Sequence, residues 1–479
     1  MIKSTAMLCG LLLTAASLAQ VQPTTAPAFV VGVNTHFSQR KGVLPDNIAL
    51  IRAAGANGFR DEVPWSQVER EKGQYVFPER MDAAIDAARA AGMEVVIPLG
   101  YGNRFYESGG KPVTAEGLAG YAAYCRFVVT HLRGRVKHYE VWNEYNIGIG
   151  TPKAVLGTPE NYVRMLAVAA QMIRAADPNA VVIGGVTAPS SGTNDPAVPG
   201  GIAPGGWFDR ACAGGLVKHC DAVSVHTYNY RMPGERRTPE AWTAIVTRIE
   251  SIVAKHADGR RVPLLITEHG WPTHVGPGGT TLPTAADYLA RCYLLARTLP
   301  TVQGLWWYDF QDDGPNAADP EDVFGLVTTD LTPKPAHFAL RDVAGLVATA
   351  KYDGRLDAGE DAHLLRFVRP DGRTTLAGWS TLAAPGNVQV VLRADGDTAN
   401  LTATLTTVGR GSVTRRLVHR DWPGQAAKAV EEPNRLAVTL TQTPVLIDAP
   451  VPLRVERVSR RPATRPSATG PATQSGGAG

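Results

Sequence analysis

Between residues 29 and 345, short apolar, β-branched runs alternate with longer helix-forming runs. The segments 29–34, 56–60, 94–99, 136–142, 180–186, 221–225, 262–267 and 302–307 read as strands. The segments 49–54, 81–91, 118–132, 161–176, 238–257, 285–299 and 338–346 read as helices, with stop signals such as Gly92 and Asp177-Pro178. Strands that alternate with helices form a parallel sheet, because parallel neighbours need a crossover connection between them. Eight strand–helix units are the number that closes a (β/α)8 barrel of the TIM type. The competing arrangement is an open doubly wound sheet, but no Gly-rich phosphate loop follows the first strand.

The pattern changes near residue 350. Short alternating runs at 363–369, 374–380, 388–393, 401–408, 435–440 and 444–447 replace the helices. They predict a small antiparallel β-sandwich over 350–458, packed on a barrel that occupies 29–349. Residues 459–479 are rich in Pro, Ser, Thr, Ala and Gly and are expected to be disordered.

The N-terminus carries the marks of an export signal over 1–19: Lys3, an apolar core at 6–13, and Ser17-Leu18-Ala19 as a cleavage site before a short linker at 20–28. The apolar core is too short to span a bilayer, so no membrane insertion is expected, and the mature chain is expected to be secreted or periplasmic. Four cysteines follow the signal; Cys212 and Cys220 are near enough in sequence to pair in an oxidising compartment, whereas Cys125 and Cys292 lie in helical runs. No zinc-ligand spacing occurs. Hydrophobic residues make up 44% and the formal net charge is +4, which makes no case for a nucleic-acid partner. Nothing in the sequence marks an oligomer interface.

Two glutamates carry the candidate chemistry. Glu144 follows the fourth strand in Glu140-Val141-Trp142-Asn143-Glu144, and Glu268 ends the seventh in Leu264-Leu265-Ile266-Thr267-Glu268-His269. Active sites of barrels of this kind lie at the C-terminal ends of the strands, where both residues fall. Paired carboxylates in such a place suit cleavage of a glycosidic bond, one protonating the leaving oxygen and the other attacking the anomeric carbon. An ionised Glu268 favours retention of the proton on Glu144, which casts Glu144 as the acid. Strand alternation puts His138, Glu140, Trp142 and Glu144 on one face. Asn143 reaches a substrate only where the strand bulges or ends, and would then hydrogen-bond a sugar hydroxyl. Glu140 is expected lower in the barrel, paired with Arg or Lys.

Arg60, ending the second strand, is placed to hold Glu268 ionised. His226 and Tyr228 end the sixth strand and can reach the nucleophile or the sugar. His36, at the end of the first strand, is a further sugar-contact candidate. Seven of the nine Trp precede residue 310, and rings beside the carboxylates can stack on sugar C–H faces. Trp271 and Trp307 are the expected sugar-facing rings, with Tyr101, Asn103 and Trp65 as further lining candidates.

Asn143-Glu144, Thr267-Glu268, Arg60 and His226-x-Tyr228 together resemble the clan A glycoside hydrolases. Within that clan, three stretches are similar to family 39 and its relatives, with family 5 nearby: Gly32-Val33-Asn34-Thr35-His36-Phe37, the run from Arg60 to Glu69, and Phe324-Gly325-Leu326-Val327 followed by Pro333-Lys334-Pro335-Ala336. The resemblance spans about residues 29–345. It implies a retaining double displacement on a β-linked carbohydrate, with Glu144 as acid/base and Glu268 as nucleophile, and it implies no cofactor. A non-catalytic carbohydrate-binding protein on the same barrel is the alternative. His269 departs from the pattern, since many relatives carry an aromatic residue there.

Overall fold

A computed structural model describes residues 29–148, 157–189, 201–394, 402–416, 418–419 and 432–461. Eight parallel strands form a closed barrel in sequence order, β1 to β8. They are β1 Val30–Asn34, β2 Gly58–Arg60, β3 Glu94–Leu99, β4 His138–Val141, β5 Val181–Thr187, β6 Ala222–His226, β7 Leu264–His269 and β8 Val302–Trp307. Every strand is one of the eight runs expected from the sequence. The first helix, Leu44–Ala53, begins five residues before its expected start, with a proline in its first turn. Three short helices, Trp65–Val68, Trp207–Ala213 and Leu216–His219, were not legible, being too brief to show a period.

The long helices Ala115–Leu132, Pro159–Ala176, Pro239–His256 and Leu282–Ala296 each start at a Thr whose hydroxyl accepts from the backbone N–H three residues on. Their apolar stripes close over the outer face of the barrel in one continuous core. The interior holds a separate small cluster of Val96, Ile183, Ala222, Leu265 and Trp306. Trp306 fits there only because its neighbours are glycines: a Cβ on Gly32 would stand 2.2 Å from its ring, and one on Gly304 2.6 Å. This plug floors the cavity at the C-terminal ends of the strands.

The C-terminal region forms a six-stranded and a three-stranded antiparallel sheet, as expected of a sandwich, with their apolar faces enclosing a second core. Its last strand, Leu453–Arg461, pairs with Asn387–Ala394 and runs three residues past the boundary read at 458. The sandwich docks on the barrel through Trp379, whose Nε1 donates to Glu240 Oε1 at 2.8 Å, and Thr443, whose hydroxyl donates to Asp287 at 3.1 Å. Arg291 holds the other oxygen of Glu240. Cys212 and Cys220 do not pair; both are buried free thiols, as are Cys125 and Cys292, and burial pushes the pKa of each upward. The export signal, the linker and the tail beyond Arg461 lie outside the described residues.

Candidate active site

The side chains at the C-terminal mouth converge because two strands break their alternation. β4 ends at Val141, and the chain leaves it through positive φ at Trp142 (72°) and Glu144 (47°). A non-glycine residue in that region costs on the order of 1–3 kcal/mol, so surrounding packing has to impose it. Trp142 is driven outward, edge-on to Tyr145 at 5.6 Å, rather than sharing a face with Glu140 and Glu144. Asn143 and Glu144 both turn inward as a result. In β7, Leu265 points into the barrel, so regular alternation would send Glu268 outward. The register with β8 slips between Ile266 and His269, which brings Glu268 into the cavity and puts His269 outside.

The result is a compact polar cluster. Glu144, His226 and Glu268 each bring one ligand-type atom to within 4.8 Å of the others. His226 Nδ1 is hydrogen-bonded to Glu144 Oε1 at 2.9 Å and lies 3.2 Å from Glu268 Oε2, so the ring sits against both carboxylates. Tyr228 donates its hydroxyl to Glu268 Oε2 at 2.9 Å, and Arg60 Nη1 donates to Glu268 Oε1 at 2.8 Å. Burial works against ionisation of Glu268, but His226, Arg60 and the Tyr228 bond outweigh it and hold its pKa below the ordinary carboxylate value. Burial also lowers the proton affinity of His226, and the charge of Glu268 with the bond to Glu144 more than restores it, leaving a net rise.

Arg60 is a scaffold rather than a sugar contact. Its guanidinium is buried and committed to Glu140 Oε2 (2.7 Å), Asn34 Oδ1 (2.8 Å), Glu268 and Asn143 Oδ1 (2.9 Å). Glu140 therefore sits lower in the barrel beside an Arg, as expected. With its oxygen held by Arg60, the Asn143 amide presents Nδ2, which donates to Tyr101 Oη at 2.8 Å.

These residues open on a cavity of about 810 Å³, within the range of small-ligand sites. Glu144, Glu268, Asn143, Arg60, Tyr228, His36 and Tyr101 all line it. His36 is nonetheless engaged elsewhere: its Nδ1 is 2.8 Å from Asp313, which also pairs with Lys41 at 2.8 Å. Burial alone would lower its pKa, but Asp313 and Asp309 raise it to about 9. His36, Asp309 and Asp313 have a spacing that could ligate a metal, yet the imidazolium and Lys41 already supply the positive charge there.

The expected sugar-facing tryptophans are elsewhere. Trp271 is buried beneath the site, edge-on to His269 at 4.5 Å, with Nε1 donating to the Arg237 carbonyl at 2.8 Å. Trp307 is equally buried, 5.9 Å from Trp271. Both belong to the outer core; in β8 Trp306 faces into the barrel, so alternation turns Trp307 outward. Trp65 is buried against Tyr106 and bonds Glu69, and Asn103 bonds the carbonyls of Trp65 and Glu69. Among the described residues the cavity's rings are instead Tyr101, Tyr228, Tyr230, Tyr308 and Phe324. His269 does not touch the cavity; it stacks on Trp242 at 5.1 Å, and burial lowers its pKa to about 3.

Sequence reasoning missed Asn34, Glu62, Tyr308 and Phe324. Asn34 joins three strand ends by accepting from Arg60 and donating to the carbonyls of Thr267 and Trp307. Glu62 is a further carboxylate on the cavity wall, pushed up to about 7 by burial and by neighbouring Asp61. Its position two residues beyond Arg60 was the available signal.

Fold and site together define an O-glycosyl hydrolase built on a (β/α)8 barrel. The cellulase (glycosyl hydrolase family 5) model matches residues 21–307, and the chain belongs to that family. No curated protein matches the sequence. Among solved structures, the chain is similar to a family 39 glycoside hydrolase from the gut symbiont Bacteroides cellulosilyticus WH2, at 24% identity and a TM-score of 0.68, covering 88% of this chain and 81% of that one. A GH39 β-xylosidase from Caulobacter crescentus aligns at 18% identity and a TM-score of 0.56, over 88% and 97%. The GH5_18 enzyme from Streptomyces cattleya, in complex with GlcNAc, aligns at 20% and 0.54, over 66% and 80%.

Proposed function

We infer that the protein is an exported retaining glycosidase that cleaves a β-linked oligo- or polysaccharide through a covalent glycosyl-enzyme. The observation that carries the mechanism is the approach of Glu144 and Glu268, with carboxylate oxygens within 4.8 Å of each other. Retaining enzymes hold their carboxyl groups about 5–5.5 Å apart, whereas inverting ones leave roughly 6.5–9.5 Å for a water.

Glu268 is the nucleophile, since Arg60 and Tyr228 hold it ionised and fix both oxygens. Its carboxylate attacks the anomeric carbon while Glu144 gives a proton to the glycosidic oxygen, so the leaving sugar departs as an alcohol. In the second half a water gives its proton to Glu144 and its oxygen to the anomeric carbon, releasing Glu268. His226, in contact with both carboxylates, sets their spacing as charge moves between them. Asn143 supplies an amide for the hydroxyl beside the reacting carbon. That one fold relative is a β-xylosidase supports the β linkage. The export reading rests on the signal-like segment 1–19. A purely sugar-binding role gives no reason for two converging carboxylates with an Arg and a Tyr aimed at one of them.

The test is mass spectrometry of the intact protein after incubation with activated 2-fluoro β-glycosides of glucose, xylose, mannose and galactose. An adduct located on Glu268 is expected. An adduct on another residue overturns the assignment. In Glu268→Gly, azide is expected to restore turnover with inverted product.

A further inference from the structure

Tyr230 and Arg231 form one wall of the catalytic cavity. The same two residues form the near wall of a second cleft of about 410 Å³, bounded by the loops after β6, β7 and β8. These loops are tied to one another. Val275 N–H donates to the Ala317 carbonyl at 2.7 Å, and Thr273 N–H to the Val323 carbonyl at 3.1 Å. Arg237 Nη2 donates to the carbonyls of Gly278 and Gly279, each at 2.8 Å. A cleft braced from three sides is pre-formed, so binding in it costs little ordering.

Its chemistry is two-sided. Val275, Pro277 and Pro320 give an apolar face, and Val275 is 75% exposed. Met232, also an exposed apolar side chain, stands on the catalytic side of the same wall. An isolated apolar residue on a surface needs no explanation, but these two stand on either side of the Tyr230–Arg231 wall that the two cavities share. Arg231 provides the polar part. Its Nε donates to Tyr230 Oη at 2.9 Å, and its guanidinium lies 5.2 Å from the Tyr230 ring, which holds this exposed group at the junction. An apolar face with a fixed fork of N–H donors at its edge matches a sugar ring, which has a C–H face and a rim of hydroxyl acceptors.

We propose that this cleft is a remote sugar subsite, and that the natural substrate is a chain long enough to reach from the Glu144–Glu268 pair past Tyr230 and Arg231. The occupant is a further sugar unit of the chain being cleaved, because the cleft adjoins the catalytic cavity across Tyr230 and Arg231, which line both. This rests on the glycosidase reading above. Binding energy gained far from the scissile bond raises kcat/KM for longer substrates and is lost on truncation.

The experiment measures kcat/KM for linear β-1,4-linked cello-, xylo- and manno-oligosaccharides of two to six sugars, with calorimetry of the same compounds on Glu268→Gln. In at least one series, the sugar that reaches the cleft is expected to raise both kcat/KM and affinity by about ten-fold, the size of one good subsite contact. Val275→Asp puts a charge on the apolar face at an exposed position, and is expected to abolish the gain while leaving disaccharide turnover unchanged. Arg231→Gln, read as the ratio of longest to shortest substrate, gives an independent second variant. Flat profiles in both measurements overturn the proposal, as does a gain that survives both variants or a failure to bind any of the series. In each of these cases an adduct on Glu268 still upholds the glycosidase reading, so the two failures are distinguishable.

Discussion

Replacing Arg60 with Met removes the cation that Glu140 and Glu268 share inside the barrel mouth. The side chain is 5% exposed and donates at 2.7–2.9 Å to Glu140, Asn34, Glu268 and Asn143. Met fills a similar volume, so the cost is electrostatic rather than a cavity. Removing one partner of a buried ion pair costs about 3–5 kcal/mol, because the remaining carboxylates are left uncompensated. At roughly 2 °C per kcal/mol for a chain of this size, the melting temperature near neutral pH should fall by roughly 6–10 °C. The pH dependence identifies the cause. In the native protein the folded pKa of Glu268 is depressed, so its contribution to stability is present above the unfolded value of about 4.3 and is lost as pH falls through the lower folded value. Without Arg60, burial opposes ionisation of Glu268 with less compensation, and its folded pKa moves up. A raised carboxylate binds its proton on folding, so the variant recovers stability as the pH is lowered. The gap between native and variant melting temperatures, measured by scanning calorimetry, should therefore narrow between about pH 7 and pH 4. A gap that stays constant or widens over that range, or a drop under about 2 °C at neutral pH, refutes the reasoning.

Tyr228→Phe deletes one hydrogen bond to an ionised carboxylate, worth about 1.5–3 kcal/mol, so kcat/KM should fall by roughly 10–150-fold and the melting temperature by roughly 3–6 °C; steady-state kinetics on an activated aryl glycoside and scanning calorimetry check this. Trp271→Ala should destabilise the fold by about 3–5 kcal/mol in chemical denaturation, because the ring is 1% exposed in the core, whereas a sugar-stacking ring would instead raise KM in a stable protein. His36→Gln should lose stability at pH values below about 6.5, where the native imidazolium contributes fully, and the difference should vanish as pH rises through about 9; thermal midpoints across that range test the sign.

Local signals carried the elements and the two acids. Apolar β-branched runs ended by loop chemistry marked all eight strands, and a carboxylate at the end of such a run must face the barrel mouth or lie close to it. The partnership of Arg60 with Glu268, and the reach of Tyr228 to the same residue, were legible from their places at strand ends. The identity of the sugar-facing rings was not. Trp271 and Trp307 were expected to face the sugar, but in β8 it is Trp306 that enters the barrel and Trp307 that turns outward, and Trp271 joins the outer core.

Sequence alone thus determined the barrel, the sandwich behind it, and the presence of an acid pair at the catalytic end, because each of these follows from periodicity and spacing within a single segment. Tertiary structure decided which side chains enter the cavity. The β7 slip depends on hydrogen bonds to neighbouring strands, and the exit of β4 at Trp142 depends on an outer core that takes the indole. Neither has a counterpart in the residues of its own segment. The same holds for His36, which Asp313 and Lys41 draw into an ion-pair network, and for the cleft past Tyr230, which exists only where the loops after β6, β7 and β8 meet.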